Sequence, residues 1–191
     1  MKKLLILLTL CCVAFFVKAQ DVTPMFAKGD KVANIGIGLG TGLSSYYKMA
    51  IPPISLSGEY GIADGILEKG SIGVGAYLGF SSYKYEYSGW GYNYSSRTSR
   101  IYIGPRGSFH YPLVDKLDTY VGLSLGIHHY SWKYEDDDID DLYDDYYNDN
   151  DTGLYSYWFV GARYYFTDNM AVMAELGYGI TYLNVGIAIK L

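Results

Sequence analysis

The chain has 191 residues, half of them apolar, a formal net charge of −5, 23 glycines, 23 tyrosines and only two cysteines. With no basic stripe it offers nothing to nucleic acid. With Cys11 and Cys12 both near the start, the rest of the chain has no disulfide framework, thiol nucleophile or cysteine metal site, and no cofactor is implied.

Residues 1–19 read as a secretory signal peptide. Met1, Lys2 and Lys3 form a basic start and Leu4 to Val17 an apolar stretch, and the small residues Val17 and Ala19 place the cut before Gln20. The apolar stretch is short for a retained membrane helix, which needs ~20 apolar residues. Lipid attachment would want a small residue before the cysteine, where Leu10 is bulky. Residues 20–191 are expected to form one domain. Without Lys2, Lys3 and Lys18 the count is 12 basic against 20 acidic residues, and ten of those acids sit between Glu135 and Asp151. The acidity is therefore local.

From Lys31 onward the dominant signal is alternation with a period of two, which places one face in an apolar medium and the other not. It recurs eight times: Lys31 to Gly40, Ile54 to Ile62, from Ser71 to beyond Phe80, Arg100 to Tyr111, Thr119 to Ser131, Leu154 to Phe166, Met170 to Tyr178 and Thr181 to Leu191. In the fifth run, Val121, Leu123, Leu125 and Ile127 alternate with Tyr120, Gly122, Ser124, Gly126 and His128. Each run is about 9–13 residues, the length a tilted strand needs to cross a bilayer; strands of a soluble sandwich are shorter.

The charges on the glycine and serine face decide which side meets lipid. Glu59, Arg100, Arg106, Arg163 and Glu175 all lie there. In lipid each would cost several kcal/mol, whereas inside a narrow barrel they can pair across the lumen. The expected fold is all-β: an eight-stranded antiparallel up-and-down transmembrane β-barrel with an interior polar network of these five residues. A barrel of this size is filled by its own side chains, so a water channel is not expected. Short connections at 63–69, 112–117 and 167–169 alternate with long ones at 41–53, 82–98 and 132–153, which places short turns on the periplasmic side and long loops outside. The final connection, Gly179-Ile180, is short and breaks that rule.

The stretch Gly161-Ala-Arg-Tyr-Tyr-Phe-Thr-Asp-Asn-Met-Ala-Val-Met-Ala-Glu-Leu-Gly-Tyr-Gly, followed by alternating Leu183, Val185, Ile187, Ile189 and Leu191, resembles the small outer-membrane β-barrel proteins of Gram-negative bacteria, the type that includes OmpX and the barrel half of OmpA. The resemblance implies an outer-membrane location and, as partners, outer-membrane lipids, lipopolysaccharide and the barrel-assembly machinery. The terminal strand of that family usually ends in an aromatic residue, where this chain has Leu191.

Three features bear on function. The segment 135–151 could remain a solvated acidic loop or bind a divalent cation through Asp136, Asp138, Asp140, Asp144, Asp149 and Asp151. Asp149-x-Asp151-x-Gly153 resembles a calcium loop, but Phe159 stands where the closing Glu would be. The segment 82–98 is rich in tyrosine, and Tyr83, Tyr85, Tyr87, Tyr92 and Tyr94 share the inward parity, an aromatic face suited to sugars or partners. His129 and Ser131 share the outward face, and the pair resembles the lipid A deacylase barrels, although Trp132 replaces the asparagine expected next. The first reading is a structural or surface-interaction protein, not an enzyme. The second is a cation- or glycan-binding module, and the third a lipid A-modifying enzyme.

Overall fold

The structure is a computed structural model that describes residues 22–39, 48–89, 92–135 and 149–191. Eight strands follow in chain order: β1 (Lys31–Leu39), β2 (Lys48–Ile66), β3 (Gly70–Gly89), β4 (Tyr92–Val114), β5 (Leu117–Glu135), β6 (Asp149–Tyr165), β7 (Met170–Gly177) and β8 (Leu183–Lys190). Each pairs antiparallel with the next, and β8 pairs with β1, so the barrel closes into a ring, above which residues 149–158 of β6 have no ladder partner on β7.

The alternation has the expected sense. Ile35, Ile37, Leu56, Val121, Leu125, Ile127, Val160 and Leu176 are exposed on the outside, while Glu59, Arg106, Arg163 and Glu175 are buried within. A barrel that buries its charges and exposes its aliphatic residues is turned inside out for water and correctly oriented for lipid. Outward Tyr60, Phe109, Tyr111, Tyr164 and Phe166 gather near the short turns, as an aromatic girdle does.

The abundance of glycine and tyrosine follows from the narrow interior. Facing inward positions combine one large and one small residue: Tyr77 with Gly104, Gly79 with Tyr102 and Gly75 with Arg106 between β3 and β4, and Tyr120 with Gly161, Gly122 with Phe159 and Gly126 with Tyr155 between β5 and β6. A Cβ on Gly161 would overlap the Tyr120 ring, and one on Gly122 the Phe159 ring. The cross-section admits one ring per pair, which is how a small barrel fills itself.

Parts of the expected long connections are strand among the described residues. β2 already begins at Lys48, β3 and β4 stay paired up to Gly89 opposite Tyr92, and β5 reaches Glu135 while β6 starts at Asp149. Alternation fades there because the outer face no longer meets lipid. The pairing itself needs only backbone hydrogen bonds and residues such as Tyr, Ser and Thr that suit strands. The short turns lie at Leu67–Lys69, Asp115–Lys116 and 166–169, and Leu67, Glu68 and Lys116 take positive φ.

Candidate functional site

The lumen is closed in layers. At the end that carries the short turns, residues 22–30 fold across the mouth. Phe26 is almost fully buried and its ring stacks on His110 with centroids 4.1 Å apart. The segment is fastened by Ser71 Oγ donating to the Phe26 carbonyl (2.9 Å), Lys190 Nζ donating to the Met25 carbonyl (3.1 Å) and a Lys190–Asp30 ion pair at 2.7 Å.

Above this plug lies the charged layer. Arg163, fully buried, donates to Asp118 Oδ2 at 3.0 Å, to Asn34 Oδ1 at 3.0 Å and to Glu59. Arg106 donates to Glu175 Oε2 at 2.8 Å, and its Nε lies 3.4 Å from Glu59 Oε1, close enough for an ion pair but not aligned for a hydrogen bond. Glu59 also accepts from Ser108 Oγ (2.6 Å), and Tyr120 Oη donates to Glu175 (3.2 Å). Arg106 stacks over Phe159 and Arg163 over Tyr120, at 3.9 and 4.6 Å from the ring centroids. Isolated charges here would be prohibitive; paired and hydrogen-bonded, they form a solid plug.

Four of the five residues read from the sequence therefore meet: Glu59, Arg106, Arg163 and Glu175. Arg100 does not join them. It lies nearer the outer mouth, with its guanidinium 5.6 Å from the centre of the Tyr83 ring and 5.2 Å from that of Tyr130. Sequence reasoning missed two members, His110 and Asp118. His110 Nδ1 lies 2.9 Å from Asp118 Oδ1, and its Nε2 lies 2.9 Å from Ser108 Oγ. Asp118 follows a turn, so alternation alone gave it no significance. This Ser–His–Asp chain has the order of a nucleophile relay. Yet Ser108 is buried and its hydroxyl is committed to Glu59, so it serves the plug.

Over the charged layer sit Tyr77, Tyr102, Tyr155 and Tyr157, and the Tyr102 and Tyr130 hydroxyls are hydrogen-bonded. Above them a cavity of about 180 Å³ opens at the outer mouth, lined by Arg100, Tyr102, Tyr130, Tyr178, Thr181 and Tyr182 among others. Arg100 Nε is buried without a hydrogen-bond partner among the described residues. The vestibule thus combines a cation with aromatic faces.

Of the candidate cation ligands, Asp136, Asp138, Asp140 and Asp144 lie outside the described residues. Asp149 and Asp151 are exposed at the start of β6, and Asp151 Oδ2 is 3.6 Å from His128 Nε2. Among the described residues no group of three His, Cys, Asp or Glu side chains is placed to hold a metal ion. His129 Nδ1 is 2.8 Å from Thr152 Oγ1, and no hydrogen bond joins it to Ser131. Ser131 instead faces Ser99 and Asn150 across the ladder.

No protein-family model matches the sequence, and no curated protein matches it. Solved structures do. The chain is similar to Ail, the attachment invasion locus protein of Yersinia pestis, crystallised with the heparin analogue sucrose octasulfate. Identity is 13%, the match covers 85% of this chain and 96% of Ail, and the TM-score is 0.50. It is also similar to the outer membrane protein OprG of Pseudomonas aeruginosa (12% identity, 88% and 99% covered, TM-score 0.47) and to the N-terminal β-barrel domain of OprF from the same organism (15%, 86% and 98%, 0.45). The likeness to Ail is one of fold, that of the small eight-stranded outer-membrane β-barrels.

Proposed function

We propose that this chain is an outer-membrane barrel of a Gram-negative bacterium that acts at its outer surface. It is a membrane-anchored scaffold that holds extended hairpins toward the surroundings, a host or envelope partners. Residues 1–19 direct export and are removed, and β8 with Leu191 is the strand offered to the barrel-assembly machinery. The observation that carries this reading is the sealed lumen: Phe26, the Glu59–Arg106–Arg163–Glu175 layer and the tyrosine layer leave a barrel of this kind nothing to conduct. Meanwhile β3 and β4 stay paired for nine residues beyond Phe80, about 30 Å along the strand at 3.3 Å per residue. In planar bilayers the purified protein is expected to show no stepwise conductance, while protease added to intact cells cuts it within 136–148. Regular channel openings, or a protein that is protected from protease on intact cells, would overturn this reading.

A second reading rests on the vestibule. Ail was crystallised with a sulfated sugar, and Arg100 among Tyr83, Tyr102, Tyr130, Tyr178 and Tyr182 suits an anionic glycan, since rings stack on sugar faces and a guanidinium holds an acidic group. Binding of sucrose octasulfate that Arg100→Gln abolishes would support it; binding that this change leaves intact would exclude the vestibule.

A further inference from the structure

The three inward arginines are not treated alike. Arg106 and Arg163 each reach two carboxylates. Arg100 has no ion pair and no hydrogen bond among the described residues, and its Nε is buried. Its register neighbours are Ser81 on β3 and Tyr130 on β5. Ser81 is fully buried and Tyr83 nearly so, yet Ser81 Oγ and Tyr83 Oη also lack a partner. The Tyr102 and Tyr130 hydroxyls are bonded to each other, which uses one hydroxyl hydrogen and leaves the other over. His128, two residues before Tyr130, is already turned to Asp151 Oδ2 at 3.6 Å.

A guanidinium withdrawn from bulk water among hydroxyls, with no acid to pair with, is costly until an anion completes it. That anion has a way in, because Arg100 lines the cavity that opens at the outer mouth. One cation matches one negative charge. With Nε buried, the two Nη groups are the end left for a ligand, and end-on they form a fork that matches the two oxygens of a carboxylate. The guanidinium is flanked by rings, its Cζ 5.6 Å from the centre of Tyr83 and 5.2 Å from that of Tyr130. A flat carboxylate fits between two flanking rings; the further oxygens of a sulfate or phosphate stand out of the plane, against them.

Size and lining define the rest of the ligand. At about 180 Å³ the cavity has the room of about six waters at ~30 Å³ each, below the ~300 Å³ at which sites for drug-sized molecules begin. It admits one six-membered sugar ring and not a chain of them. Tyr178 and Tyr182 form another part of its wall, both exposed and with ring centroids 5.4 Å apart. Exposed rings take the apolar face of a sugar.

We propose that the vestibule takes a single carboxylate-bearing sugar unit, of the uronic acid class, with its carboxylate on Arg100 and its ring against Tyr178 and Tyr182. This rests on the vestibule reading above and adds which acidic group enters and how much of a glycan enters with it.

The test uses the full barrel in nanodiscs of zwitterionic lipid, titrated with D-galacturonate, methyl galactoside and galactose 6-sulfate and followed by ligand-observed NMR. Galacturonate is expected to bind roughly 10- to 100-fold more tightly than methyl galactoside, the range that hydrogen bonds to a charged group give, and several-fold more tightly than galactose 6-sulfate. Arg100→Gln should remove that preference and leave methyl galactoside binding as before. Arg100→Lys keeps the charge, loses the fork and should retain a preference of no more than about tenfold. A trisaccharide whose only carboxylate is on its end unit should bind at least as well as free galacturonate, whereas one carrying it on the middle unit should bind no better than methyl galactoside. Galacturonate binding no better than methyl galactoside or galactose 6-sulfate, equal binding of the two trisaccharides, or a preference that survives Arg100→Gln overturns the proposal. Each variant is first run on gels boiled and unboiled, and the wild-type comparisons decide without any variant. Sucrose octasulfate separates the two failures. If it binds in an Arg100-dependent way while galacturonate is not preferred, the vestibule reading stands and only this inference falls; if neither binds, both fall.

Discussion

Replacing Arg163 by methionine tests the buried layer most sharply. The change keeps much of the side-chain volume against Tyr120 and Phe26 and removes the charge and all of its donors. Three acceptors lose a partner: Asp118, Asn34 and Glu59. Asp118 keeps His110 at 2.9 Å, and Glu59 keeps Ser108 at 2.6 Å and Arg106 at 3.4 Å. Three carboxylates would then face one guanidinium and an imidazole in a dry interior. Removing one member of a buried ion pair costs about 3–5 kcal/mol, mostly for the charge left behind, even though the intact pair adds little over an apolar equivalent. The residual partners place Arg163→Met within that range, not above it. Urea unfolding in lipid vesicles, followed by tryptophan fluorescence, measures the loss. Adding Glu59→Gln to the same chain neutralises one orphan and should recover about 1–2 kcal/mol, a non-additivity expected only for groups in contact. A loss under ~1 kcal/mol, or strict additivity of the two changes, would refute the reasoning.

Phe26→Ala should cost about 3–5 kcal/mol, as deletion of a buried ring does, and should expose residues 22–30 to protease in everted vesicles. Gly104→Ala places a Cβ against the Leu125 carbonyl and the Gly126 Cα, where no side chain can yield. A loss of about 1–3 kcal/mol follows, whereas Gly107→Ala, whose nearest neighbour is the Gly73 carbonyl at 3.9 Å, should change stability little; equal effects would contradict the packing described. Leu125→Arg, halfway along the outward face of β5, should cost about 2–4 kcal/mol in lipid, and a neutral result in vesicle unfolding would place that position outside the membrane.

Strand count, order and facing were legible because one physical constraint wrote them. A lipid-facing strand must alternate, and it alternated in all eight runs. The same constraint explains what was not legible. Above the bilayer the apolar half of it lapses, so 82–98 read as a long connection in which only the parity of the tyrosines carried on from the strands, and the full ladder from 82 to 89 and 92 to 98 was not marked. Alternation also showed that Glu59, Arg106, Arg163 and Glu175 face inward, but parity gives no height. Arg100 shares their face and still sits with Tyr83 and Tyr130 near the outer mouth. Asp118 is one of the three acceptors of Arg163 and His110 is held against it, yet their closeness depends on the Asp115–Lys116 turn and the pairing that follows it. The plug at 22–30 has no periodicity at all, and Phe26 could be recognised only once the barrel mouth was in view.

The central claim is that odd-numbered residues of β5 from 121 to 129 face lipid while the even-numbered ones face a sealed lumen. With Cys11 and Cys12 the only cysteines and both ahead of the barrel, a series of single cysteines at 120–133 can be spin-labelled one at a time in vesicles. Collisions with oxygen, which dissolves in lipid, are expected at 121, 123, 125, 127 and 129. Neither oxygen nor a water-soluble nickel chelate should reach 120, 122 and 124, and the chelate should appear only toward 133. Free access of the chelate at 123, 125 and 127 would contradict the account.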